Sequence, residues 1–169
     1  VDVVEEFDPA AGKKNVAVSV PANDAHVPAY VRAQVDVYWQ DAQGVRMWEA
    51  PVEKGSADAA DPQGYDYVMT WCAFGQAGTA NTWVVGSDGL YYWTSPVASS
   101  ASTDPLIVSC TQNVRYDDGR VLVVDIATQA MQADPARAFN ESWGPHAGLS
   151  ATDDGLLMAQ AAAQGGDAA

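Results

Sequence analysis

Residues 26–39 read HVPAYVRAQVDVYW, and within them Val31, Ala33, Val35, Val37 and Trp39 alternate with Tyr30, Arg32, Gln34, Asp36 and Tyr38. Successive side chains of a β-strand point to opposite faces, so this run specifies one long strand with an unbroken apolar face and a polar face carrying two tyrosines. The apolar face needs a second layer to pack on, and a facing sheet supplies it most simply. The polar face is expected to meet solvent or a partner, with Arg32 paired to an acidic neighbour and its removal leaving the fold intact.

Shorter runs along the chain repeat the strand signal: 1–6, 13–20, 45–49 as a return strand, 65–74, 105–112 and 120–132. Residues 81–85 and 90–94 flank Gly86-Ser87-Asp88-Gly89, two β-rich runs around an Asp-Gly turn, which predicts a hairpin. Asp117-Asp118-Gly119 and Asp153-Asp154-Gly155 read as turns of the same chemistry. Residues 50–66 are rich in Ala, Asp, Gly, Ser and Pro and read as a loop. One short helix is expected near residues 134–143, with Asp134 as N-cap, Pro135 at the first helical position and Gly144 as its stop. Many short strands, turn residues between them and one helix predict an all-β chain, an antiparallel β-sandwich or jelly roll. The expected organisation is one domain over 1–155 and an Ala/Gly/Gln-rich tail over 156–169 that starts as a short helix and frays.

The chain has 169 residues and a net charge of −14, with only eight Lys and Arg. That balance excludes phosphate-backbone recognition, which needs clustered cations, and docking on anionic lipid. No apolar run reaches the length of a membrane span. Self-repulsion means that any self-assembly has to rest on backbone pairing and apolar contacts.

No catalytic motif is legible, so the sequence is read as that of a non-enzyme without cofactor or metal. His26 and His146 sit beside prolines and no HExxH occurs. There is no GxSxG, and Ser99 and Ser100 lie in a low-complexity loop. The Asp-rich turns lack the oxygen spacing of a calcium loop. Cys72 and Cys110 lie in strand-like runs, and either two buried thiols or an inter-strand disulfide fits them. Trp83, Tyr91, Tyr92 and Trp93 crowd one hairpin. Unless that hairpin is buried on both sides, some of these rings face outward, and Trp83, Tyr91 and Trp93 are candidates for an interface or for stacking on a sugar.

Four segments in order, PAYVRAQV (28–35), GSDGLYYWTSPV (86–97) with STDPLI (102–107), ATQAMQAD (127–134) and SWG (142–144), resemble the TasA/camelysin-like, SipW-dependent biofilm matrix proteins of Gram-positive bacteria. The residues matching the family pattern are Tyr30, Val31, Arg32, Asp88, Gly89, Tyr91, Tyr92, Gln132, Asp134, Trp143 and Gly144. The family's Asn-Thr-Gly turn is replaced by PANDAHVP (21–28), and the two cysteines are not part of the pattern. The resemblance implies a secreted jelly-roll protein of the extracellular matrix or cell surface, whose partners are copies of itself or other matrix and surface proteins. It also implies fibre assembly by donor-strand complementation, in which an extended segment of one subunit completes a sheet of the next. If a leading donor segment is missing here, residues 1–169 are expected to remain a monomeric acceptor. An oxidising compartment would favour the Cys72–Cys110 disulfide. Two other functions stay in view, a camelysin-like surface metalloprotease and a monomeric carbohydrate-binding module.

Overall fold

A computed structural model of the chain describes residues 1–8, 12–22, 27–55, 64–113 and 116–160. Ten strands and two short helices follow in the order β1 (Asp2–Asp8), β2 (Gly12–Ser19), β3 (Ala29–Gln40), β4 (Tyr67–Trp71), β5 (Trp83–Val85), β6 (Tyr91–Trp93), β7 (Ile107–Gln112), β8 (Val121–Gln132), α1 (Ala136–Ser142), α2 (Gly144–Ala147), β9 (Leu149–Ala151) and β10 (Leu157–Ala159). The alternating run is β3, and it pairs antiparallel with β8 over twelve consecutive positions, from Ala29 opposite Gln132 to Gln40 opposite Val121.

Two four-stranded antiparallel sheets form a β-sandwich. One has the order β1-β2-β7-β4 and the other β5-β6-β3-β8. Val31, Ala33 and Trp39 are buried on the inward face of β3, while Val35 and Val37 are partly buried against the same core. Val16 and Val18 of β2, Ile107 and Cys110 of β7, and Val124 of β8 complete it. This is the packing that the period-two pattern requires.

A third layer was not legible in the sequence. Helices α1 and α2 and the β9–β10 hairpin cover the outer face of the β5-β6-β3-β8 sheet, forming a second apolar cluster of Tyr30, Tyr92, Phe139, Trp143, Leu149 and Leu157. The expected single helix over 134–143 is therefore two: α1 is preceded by Pro135 as its N-cap, one residue later than expected, and Gly144 opens α2. The residues following 155 do not begin a helix. Leu157–Ala159 pair with Leu149–Ala151, and Leu157 is fully buried, so the domain extends past residue 155. The tail beyond Gln160 lies outside the described residues.

Other expectations shift by a few residues. The return strand at 45–49 is a single bridge, Gln40 to Arg46, with Met47 N–H donating to Trp39 O at 2.8 Å. The described part of the 50–66 loop includes a parallel bridge between Glu53 and Tyr67. His26 falls outside the described residues, and His146 is exposed in α2.

The disulfide expectation is corrected. Both cysteines are free. Cys110 lies opposite Met69, whereas Cys72 N–H donates to Leu106 O, just ahead of β7 and four residues from Cys110. At about 3.3 Å per residue the offset along the strand is about 13 Å, well beyond the span of a disulfide. Burial pushes the Cys110 thiol up to about 11.

Candidate functional site

Four polar residues of the resemblance, Tyr30, Arg32, Asp88 and Tyr92, meet on the outer face of the second sheet. Strand periodicity sends Tyr30 and Arg32 to the face opposite Val31. Register then sets the neighbours of Arg32, with Tyr92 across one ladder and Gln129 across the other. Arg32 Nε and Nη2 donate to Gln129 Oε1 at 2.8 and 2.6 Å, and Nη1 donates to the Tyr92 hydroxyl at 3.1 Å. The Tyr92 hydroxyl in turn donates to Asp88 Oδ2 at 2.7 Å. Arg32 Nη1 stands 4.0 Å from that carboxylate oxygen. The guanidinium carbon lies 4.2 Å from the Trp143 ring centre, a cation–π contact that ties the sheet to its cover.

The 86–89 turn presents Asp88. Gly86 N–H donates to Leu90 O at 2.8 Å, and Gly89 adopts φ +78°. A Cβ at Gly86 would lie 2.6 Å from Asp88 Oδ1 and 2.7 Å from the Tyr92 ring, so glycine is required for the turn to close on its own acceptor. Ser87 N–H donates to Ala147 O at 2.8 Å, fixing the turn to α2. Burial first, and then the hydrogen bond to Asp88, push the Tyr92 phenol up to about 12. It therefore stays protonated as the donor between guanidinium and carboxylate.

Tyr30 lies beside this network with its ring 5.0 Å from that of Phe139. Its hydroxyl is buried and has no hydrogen-bond partner among the described residues. Burial first, and then the charge of Asp154, raise its pKa.

The remaining residues of the resemblance fall elsewhere. Val31 is in the sandwich core, Gln132 is exposed at the end of β8, and Asp134 is exposed ahead of α1. Gly144 is buried where a Cβ would come 2.7 Å from Leu149 O.

The outward-facing aromatics of the 81–94 hairpin are a correction. Trp83 and Trp93 are 1% and 5% exposed, in edge contact with each other inside the sandwich. Trp83 Nε1–H donates to Asp104 O at 2.9 Å. Tyr91 is half-buried and stacks on Trp71 and Phe74. Tyr92 fills the opposite face, beneath the cover. The hairpin is buried on both sides because its sheet is the middle of three layers, so neither tryptophan offers a face to a sugar.

Beside Arg32 a small groove of 170 Å³ is lined by Ala33, Gln34, Leu90, Ala127 and Gln129. Among the described residues the guanidinium contacts β8, β6, the 86–89 turn and Trp143, so the cluster acts as a brace between sheet, turn and cover. Arg32 is therefore not the dispensable surface residue that the alternation implies. Arg32→Ala is expected to cost about 2 kcal/mol, from charged hydrogen bonds and the cation–π contact together. Urea denaturation measures it, and an unchanged midpoint would contradict the brace.

Gln129 and Phe139 escape the sequence reading. Gln129 becomes visible only through the β3–β8 register, 97 residues from Arg32. Phe139 and Trp143 are spaced four apart across the junction of α1 and α2, a faint amphipathic signal. Among the described residues no group of three or more His, Cys, Asp or Glu side chains is placed to hold a metal ion. No helix among them is long and apolar enough to cross a membrane. Comparisons with protein-family models, curated proteins and solved structures find no match for this chain.

Proposed function

We propose that this protein is a secreted structural subunit that joins copies of itself into extracellular filaments by strand addition at its sheet edges. The observation that carries this reading is β8. Among the described residues this twelve-residue strand pairs with β3 alone and forms no ladder at its other edge, although β1 of the facing sheet comes near the strand. Open edges are templates for another chain, and proteins that stay apart usually blunt them with charges, bulges or proline. β8 carries one charged residue, Asp125, and no proline. Its register with β3 runs without a bulge.

The opposite sheet ends in β1, which among the described residues pairs with β2 alone and leaves Val4 and Phe7 exposed. Backbone pairing at such edges needs no complementary charge, so it suits a chain with a net charge of −14. The ordered segments resembling TasA-like matrix proteins support secretion and fibre formation. The convergence of their Tyr30, Arg32, Asp88, Tyr92 and Trp143 gives those residues a common role in holding the cover on the sandwich.

Val123→Lys tests the edge. Val123 is a partly exposed β8 residue opposite Tyr38, and a lysine there blunts strand addition without entering the core. The native secreted polypeptide is expected to form filaments in negative-stain electron microscopy. The variant is expected to lose them at an unchanged melting temperature. Filaments of undiminished number from Val123→Lys would remove β8 as the joining edge. Their absence from the native polypeptide would remove the filament reading itself.

A further inference from the structure

One end of the sandwich carries a repeated chemical pattern that is left incomplete at Trp48. The turn after β3 and the turn before β8 meet there, and a Cβ added at Gly119 would lie 3.4 Å from Ala42 Cβ. Arg46 places its guanidinium 4.5 Å from the Tyr38 ring centre and pairs with Asp36. Arg120 places its guanidinium 4.4 Å from the Tyr116 ring centre and 5.9 Å from that of Trp39, and pairs with Asp118 and Glu49. Aromatic rings at this end thus hold a cation that a carboxylate also contacts.

Trp48 breaks the pattern. It is 97% exposed, whereas Trp39, Trp83, Trp93 and Trp143 are buried and Trp71 is partly buried. No cation lies over its ring among the described residues, although Glu49 adjoins it in sequence. Its exposure does not come from an unstructured loop. Asp41 Oδ1 accepts from Gln43 N–H and Val45 N–H at 2.9 and 2.8 Å, Gln40 Nε2 donates to Gly44 O at 2.9 Å, and Met47 N–H donates to Trp39 O. The backbone leading to Trp48 is pinned as far as Met47, which lowers the ordering cost of using the adjoining indole as an anchor.

We propose that Trp48, with Glu49 beside it, docks an arginine- or lysine-bearing segment of a different protein. The partner's cation would take the place over indole that Arg46 takes over Tyr38, and indole is the strongest of the side-chain rings for this contact. Charge complementarity selects the occupant. Across the described segments 36–49 and 116–125 the carboxylates are Asp36, Asp41, Glu49, Asp117, Asp118 and Asp125, against the two arginines Arg46 and Arg120. A second copy of the chain, itself at −14, is repelled from this end. A neutral sugar could stack on the indole but would gain nothing from the surrounding carboxylates. Trp48 itself lies outside β8, so its contact is tested independently of the filament reading.

The test is titration of the ¹⁵N-labelled chain with a hexa-arginine peptide at physiological salt, following the tryptophan indole N–H signals. A labelled form of the same peptide gives affinities by fluorescence anisotropy. The Trp48 signal, assigned by its loss in Trp48→Ala, is expected to move furthest. That variant is expected to bind about fivefold or more weakly, in line with a partly desolvated cation–π contact. Because Trp48→Ala leaves the net charge unchanged and removes a ring that packs on almost nothing, its melting temperature should match the parent. Equal affinity in Trp48→Ala, or a Trp48 signal that moves no more than the other indoles, would overturn the proposal. A Trp48 response to a neutral hexasaccharide but not to hexa-arginine would overturn it in favour of glycan binding.

Discussion

Val31→Asp is expected to leave no measurable folded population. Val31 is 0% exposed on the inward face of β3, the strand that joins β6 to β8 in the middle of its sheet. An aspartate there enters the apolar cluster that includes Val16, Val18 and Ile107, which contains no cation among the described residues. An unpaired charge in such surroundings costs several kcal/mol even after relaxation. The lost packing of the valine adds about 2 kcal/mol more. Domain stabilities are about 5–15 kcal/mol in total, so the sum removes most or all of the margin. Far-ultraviolet circular dichroism in a urea series is the measurement, with Val31→Ala as the folded but weakened control. A cooperative transition for Val31→Asp near the parent midpoint would place residue 31 outside the core.

That Val31 lies on the inward face is legible in the sequence, because alternation in β3 is long enough to specify that face, although Val35 and Val37 on it are only partly buried. The same holds for the Asp-Gly turn at 86–89 and for β7 and β8, whose apolar content and bounding turns mark them within two residues. The cover was illegible for a physical reason. β9 and β10 are three residues each, too short for any period to emerge, and α2 has four residues. Without the cover, the outer face of β3 reads as solvent-facing, and that single omission propagates. It makes Arg32 look like a surface residue and the 81–94 aromatics look exposed. The candidate site was legible as a set of residue types but not as a cluster. Its members come together through ladders 60 and 97 residues apart in sequence, and register between distant strands is not a local property. The cysteines illustrate the same point, since four residues of offset separate two thiols that composition alone could pair.

Phe139→Ala is expected to release the cover while leaving the sandwich folded. Phe139 is fully buried in α1, with its ring 5.0 Å from Tyr30, 6.2 Å from Tyr92 and 6.1 Å from Trp143. Truncating a buried phenylalanine costs about 3–5 kcal/mol. The loss falls on a part of the molecule with little stability of its own. A seven-residue helix is far below the length that holds in isolation, so α1 depends on this packing. Among the described residues the cover's other ties include the Trp143 contacts to Arg32 and Tyr92, the Ser87–Ala147 hydrogen bond, Leu157 N–H donating to Thr94 O and Gly78 N–H donating to Leu157 O. Asn140 clasps Ala151 through both amide atoms, which joins α1 to β9 but not to the sheet. Hydrogen exchange separates local from global opening. Amides of residues 136–160 are expected to lose most of their protection in Phe139→Ala, while those of β2 and β7 on the far sheet keep theirs. Equal loss in both would mean that cover and sandwich unfold as one unit, and the Arg32 network would then be part of the core's cooperativity instead of a clasp upon it.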